Sequence, residues 1–263
     1  LGDVYKRQEE MLTKDVETMA GAAQGKADIC EHYPVKFFIR AIMAGFFIVV
    51  ATILSNVSAA VLYSTYPQFG KLLGAFLFSI AIVLIVFIGG ELFTGNNMTM
   101  AMGAYAGTCT WKQVLKVWLV SYIGNFVGAF FLSFLFVKSG ASHQILVDYY
   151  NSFLAAKLSA PPMQLFLRGV LCNFCVCLAV LTGTRMKSES GKLIVMFCVI
   201  MAFVVSGFEH CVANMGTFSI AYLLFGSINP VLLAKSMICV TLGNIVGGAL
   251  LLAAPLKLMS AEK

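Results

Sequence analysis

Glu91, Glu209 and His210 lie inside long stretches that otherwise hold almost no charge; the other ten acids and two histidines fall in tails or connections. An ionisable group at the centre of an apolar span costs roughly 2.5–3.5 kcal/mol on insertion scales, so it needs a partner or water. The carboxylates could accept backbone N–H groups freed where a helix is interrupted. Alternatively they could line a passage. A histidine there could exchange a proton or sit as a satisfied interior group, and its place inside an interrupted helix favours a passage. Thr94, just after the first interruption, could bond back to its own helix or face the same passage. Cys172, Cys175 and Cys177 lack the acid or histidine that a four-ligand metal site would need, and on a helix they point to different faces. They read as small apolar filler, and no metal or cofactor is expected. No paired histidines suggest haem, no Gly-rich loop a nucleotide, and no nucleophile–base pair hydrolysis, so the chain does not read as an enzyme.

The surrounding elements follow from composition. Of 263 residues, 60% are hydrophobic and 11% charged, with mean hydropathy +0.89, against roughly 25% charged in a soluble domain. Even a ~300-residue soluble domain leaves about a quarter of its chain's surface in water, so a soluble enzyme, a disordered chain and a disulfide module are excluded. Apolar stretches run over about Ala41–Tyr63, Leu72–Ala106, Val117–Val137, Met163–Thr184, Leu193–Phe225 and Val231–Leu256. The second and fifth are too long for one crossing of a ~30 Å hydrocarbon core and are interrupted by glycine and polar residues. This predicts an all-α membrane protein of six spans, two of them broken, at Gly90-Glu91 with Gly95 and at Gly207 with Glu209. A transmembrane barrel would alternate with period two and is excluded.

Residues 1–35 form a polar segment without the apolar core of a signal peptide. Met11 would serve as a natural start, so residues 1–10 are expected to be an appended stretch without function. The expected organisation is then a first three-helix unit over 36–137, an outer connection over 138–162, a second unit over 163–256 and a tail over 257–263. Thirteen of the 18 Lys and Arg fall in the N-terminal segment, the second-to-third and fourth-to-fifth connections, and the tail. The positive-inside rule places these in the cytoplasm, with both termini. The net charge of +6 is mostly this bias; its scatter over short loops argues against a nucleic-acid partner.

The halves resemble one another. Gly124-Asn125-Phe126-Val127-Gly128 is echoed by Gly243-Asn244-Ile245-Val246-Gly247, with Lys116 and Lys235 ahead of them; Gly90 with Asn97-Met98 is echoed by Gly207 with Asn214-Met215. The Gly-x-x-x-Gly pairs read first as close-packing surfaces. A three-span repeat must be inverted in its second copy, and inverted repeats with a broken helix in each half place a substrate path at their interface.

Here the chain resembles the formate/nitrite transporter family. Val86-Phe87-Ile88-Gly89-Gly90-Glu91-Leu92-Phe93-Thr94-Gly95 is similar to its first signature and Gly169–Ala179 to its second, with Cys175 where a larger apolar residue is usual. Phe208-Glu209-His210 and Ala213-Asn214-Met215 fit its fifth span. The resemblance covers about residues 28–256. It implies a multi-pass protein of the inner (plasma) membrane, a homopentamer whose protomers each hold an aquaporin-like pore for formate, nitrite, hydrosulfide or related anions. It further implies an outer constriction at Phe78 and Phe203, an inner one at Leu92 with Ile82 and Ala213, and a chamber between them flanked by Thr94 and His210. Lys157 would couple to Glu209 and Asn173 in the outer vestibule, Asn244 would line the sixth-span wall, and residues 13–33 would form a cytoplasmic helix near the pore mouth. The apolar positions Val16, Met19, Ala20, Ala23, Ala27 and Cys30 recur there at helical spacing.

Burying a bare ion is prohibitive, so a weak-acid anion is expected to be drawn to the mouths by positive charge and to pass the apolar rings as the neutral acid. His210 or water would supply the proton. A proton-coupled carrier of the same anions is the alternative, marked by saturation and counterflow. A neutral-solute channel is disfavoured because Asn-Met stands where Asn-Pro-Ala would be expected.

Overall fold

In the computed structural model, which describes residues 2–260, every regular element is helical. Leu1 and the last three residues of the predicted tail, Lys263 among them, lie outside the described residues. Helix α1 (Gly2–His32) leads into α2 (Pro34–Leu62). Helices α3 (Pro67–Phe78) and α4 (Ile80–Ile88) form one apolar rod that stops at the first break, and α5 (Phe93–Tyr105) resumes beyond it. Helix α6 (Trp111–Lys138) closes the first half. After α7 (His143–Ser159) come α8 (Pro162–Arg185), α9 (Glu189–Val205), a second break, α10 (Cys211–Phe225) and α11 (Pro230–Ile245). The last helix continues through a π-helical stretch, Val246–Ala253, into α12 (Ala254–Met259).

Five helices are long and apolar enough to cross a membrane among the described residues: α2, α3–α4, α6, α8 and α11–α12. The sixth crossing is divided between α9 and α10, each too short alone, as the broken fifth stretch predicts. Helices start earlier than hydropathy suggests because their first turns carry charge: α2 begins at Pro34, ahead of Lys36 and Arg40. Proline at the first helical turn opens α2, α3, α8 and α11, where its missing N–H leaves no bond unmade. A Thr110–Gln113 capping box opens α6.

One expectation needs revision: the N-terminal helix extends back through residues 2–12 rather than starting near Thr13. The connection over 138–162 contains α7. That helix is anchored by Leu146 and the fully buried Tyr150, whose hydroxyl accepts the Asn56 Nδ2 amide at 2.6 Å. The six apolar positions of α1 are all buried, against α5, α6 and α12.

The halves pack alike. A Cβ on Gly128 would run into the Ile42 carbonyl oxygen, and one on Gly247 into that of Val170. The glycines therefore bring α6 onto α2, and the π-helical stretch after α11 onto α8, at backbone distance, as their spacing suggests.

Candidate functional site

The two breaks are built from the same parts. Gly89 (φ +94°) and Gly207 (φ +74°) end the apolar rods in left-handed conformation, where a side chain would be strained. Two residues on, the Glu91 N–H donates to the Arg40 carbonyl (3.1 Å) and the Glu209 N–H to that of Arg168 (3.2 Å). An asparagine then clamps each break. Asn125 Nδ2 donates to the carbonyls of Ala41 and Glu91 and its Oδ1 accepts the Phe93 N–H. Asn244 Nδ2 donates to the carbonyls of Gly169 and Glu209 and its Oδ1 accepts the Cys211 N–H. All these bonds lie between 2.8 and 3.0 Å. Asn244, expected on a pore wall, is thus placed behind the break, fully buried. The breaks correspond at an offset of 118 residues, pairing Gly89 with Gly207, rather than the 117 read from Gly90 and the Asn-Met pairs.

Each break aims its carboxylate at a lysine from a distant element. Lys157 Nζ lies 2.5 Å from Glu209 Oε2, and Lys26 Nζ of α1 lies 2.5 Å from Glu91 Oε2. The second pair was not foreseen; 65 residues separate its members. Asn214 Nδ2 also donates to Glu209 Oε2 (2.9 Å). Asn173 does not join that network: its amide donates to the Thr94 and Asn244 carbonyls and to Asn97 Oδ1.

Three cavities run in series through these parts. An outer one of about 90 Å³ is lined by Lys157, Asn56, Ala213, Asn214 and Thr217, and meets Phe78, Phe203 and His210. The central chamber, about 10 Å³, shares those three residues and adds Ile48, Ala81, Val176 and Ile200; it is at the threshold for a single water. It also shares Ile82, Ile85 and Leu92 with an inner cavity of about 240 Å³ lined by Lys26, Arg40, Gly90, Glu91, Gly95, Asn96 and Thr99. Phe78 and Phe203 meet edge to face, centroids 6.1 Å apart. Ala213, expected at the inner ring, instead lines the outer cavity, because it sits in the first turn of α10, beyond His210.

His210 is the N-cap of α10. Its Nδ1 accepts the Ala213 N–H at 3.1 Å, so in the neutral ring the proton sits on Nε2, facing Thr94 Oγ1 at 3.0 Å. Thr94 is fully buried and reaches the chamber through this histidine rather than by lining it. No group of three or more His, Cys, Asp or Glu poised to hold a metal occurs among the described residues.

The family model described as formate/nitrite transporter matches residues 13–258. The chain belongs to that family. It is 31% identical over 244 residues to the nitrite transporter NirC of Escherichia coli (strain K12), covering 91% of this chain and 89% of the relative. A solved structure of a formate/nitrite transporter family ion channel superimposes with TM-score 0.89 at 29% identity, covering 95% of this chain and 100% of that one. A pentameric formate channel with formate bound matches at TM-score 0.74 and 30% identity, over 86% of this chain and 96% of that one. Within the formate/nitrite transporter fold, the cavities lie at the interface of the two halves.

Proposed function

We propose that the protein is a channel for small monovalent weak-acid anions of the formate and nitrite class, assembled as a homopentamer with both termini in the cytoplasm. The observation that carries this is the series of cavities: a lysine at each mouth, two apolar rings, and one imidazole–hydroxyl pair between them. At the inner mouth Lys26 and Arg40 stand against the single carboxylate Glu91 and leave a net positive charge that raises the local concentration of anions, while at the outer mouth Lys157 is balanced by Glu209. Inside the rings, low dielectric favours the neutral form of an acid, as burial does for any carboxyl. The substrate passes Phe203 and Phe78, then Leu92 and Ile82, as the protonated acid, and these side chains rotate aside because the chamber at rest holds no more than about one water. The His210 imidazole, held by the Thr94 hydroxyl behind it, is the polar group that replaces a hydrogen bond the acid loses on leaving water. The proton comes from water in the cavity or by way of His210, and is released beyond the second ring. Glu91, Glu209, Asn125 and Asn244 hold the breaks that frame the path. The relatives include a nitrite transporter and a pentameric formate channel, which supports the substrate class.

The test is flux in reconstituted vesicles at several pH values, over a panel of formate, nitrite, hydrosulfide, acetate and lactate, with His210→Ala beside the wild type. Expected is flux that rises as pH falls toward the acid's own pKa and drops at least about tenfold without His210, the scale of a lost donor in a dry site. Purely anionic conductance that ignores both pH and His210 would falsify the neutral-acid route.

A further inference from the structure

Lys235 is the echo of Lys116 in the repeat, and it lines none of the three cavities of the path. It is half-buried on α11, and its Nζ donates to the carbonyls of Leu158 and Ala160, each at 2.9 Å. Those carbonyls belong to the end of α7. A helix leaves its last carbonyls open, and the N–H groups just beyond it usually close them. Beyond α7 stand Pro161 and Pro162, which have no N–H to give. The Ser159 hydroxyl donates to the Ala156 carbonyl at 3.0 Å. Lys235, from a distant helix, supplies the donors that the prolines lack, and its charge suits the negative end of the helix dipole. Lys116 does nothing of the kind for α1: it is exposed and makes no hydrogen bond or ion pair among the described residues.

The end of α7 is where Lys157 sits. From Tyr150, bonded to Asn56, one face of the helix runs through Phe153 to Lys157 at spacings of three and four residues, and both of the latter line the outer cavity. Lys157 meets Glu209 from the last turn, where an uncapped helix frays. We propose that Lys235 is a positioning residue for the outer mouth: by capping α7 it holds Lys157 against Glu209. The proposal rests on the anion-channel reading. Without the cap Lys157 leaves, the neutral pair loses its balance, and a lone carboxylate beside the outer cavity repels an entering anion. The effect falls on capture of the anion and not on passage of the acid through the apolar rings.

Two measurements test this on the full chain. Amine acylation at each lysine is read by mass spectrometry in lipid nanodiscs, and formate flux is read in vesicles, for wild type, Lys235→Met, Lys235→Arg and Lys116→Met. Lys138, exposed at the end of α6, is the internal reference. Lys235→Met is expected to speed acylation of Lys157 severalfold relative to Lys138, and to lower formate flux more at low than at high external concentration. Lys235→Arg, whose guanidinium can serve both carbonyls, and Lys116→Met should match the wild type in both readouts. Should Lys235→Met fail to assemble, Lys235→Gln, which keeps an uncharged donor, carries the comparison. Unchanged acylation of Lys157 overturns the proposal even where flux falls, because Lys235 would then act by its charge alone. So does an equal effect from Lys116→Met, or faster acylation with flux unaltered. Absence of formate and nitrite flux in the wild type sinks the channel reading, while acylation of Lys157 still decides the cap.

Discussion

Asn125 and Asn244 each satisfy three backbone groups that a broken helix leaves open, so their removal is felt at the break and not only at one contact. Replacing either by alanine strands two carbonyls and one N–H in a dry interior, at about 1–3 kcal/mol for each group left unpaired. A marked fall in the detergent melting temperature and loss of vesicle flux are expected together; an unshifted melt would show the clamp to be dispensable. How far such roles can be read in advance varies by residue. His210 stands out in the sequence because an ionisable group at a helix interruption is rare, whereas Leu92, Phe78 and Phe203 are reached only through the family resemblance. The Asn125–Asn244 equivalence is visible in the repeat, but not that both face the backbone. Ala213 and Asn173, placed by the family resemblance, have other neighbours in the structure, Ala213 on the outer cavity and Asn173 against Thr94, Asn97 and Asn244. The Lys26–Glu91 pair depends on how α1 docks, which no local pattern encodes.

Elements meet through glycine in one place and through charge in another. Gly128→Ala and Gly247→Ala push a methyl against carbonyl oxygens of α2 and α8, and overpacking of this kind typically destabilises by about 1–3 kcal/mol. Gly25→Ala on α1 meets nothing within 4 Å and should instead gain roughly 0.5–1 kcal/mol in helix stability. Opposite shifts in melting temperature or hydrogen-exchange protection check this pair; equal effects would refute the packing account. The attachment of α1 has its own probe. Burial holds the Cys30 thiol above its usual range, partly offset by Lys116, so little thiolate is present at neutral pH and alkylation is slow. Lys26→Met removes the ion pair with Glu91 and should speed alkylation of the Cys30 peptide severalfold, as read by mass spectrometry. An unchanged rate would mean that the apolar face of α1 holds it alone. The six apolar positions of α1 were legible as a helical stripe; the anchoring of α7 was not, because its two buried residues give too short a pattern. The Asn-Met pairs sit one residue out of step with the breaks, whose correspondence is set by the Glu91 and Glu209 backbone bonds.

The whole molecule shows its medium in what it leaves uncovered. Leu115, Leu119, Ile123, Phe126, Phe130 and Phe134 of α6 are all exposed, which a water-soluble fold would avoid. The Arg185–Asp15 pair, the Lys26–Glu91 pair and the packing of α12 on α1 gather both ends of the chain on one face. Tags at the two termini should accordingly be digested from the same side of the membrane, the cytoplasmic one, and opposite sidedness would contradict the inverted pair of three-helix halves. The narrow central chamber then has the widest reach. A chamber of about 10 Å³ leaves no room for the unbroken file of waters along which protons hop, so the resting path is expected to carry no proton current. With each elementary charge worth about 2.3 kcal/mol per 100 mV, that gap is expected to keep an energised membrane from discharging through the channel. Leu92→Ala combined with Phe203→Ala should dissipate an imposed pH gradient in substrate-free vesicles carrying a pH dye, while wild-type vesicles hold theirs.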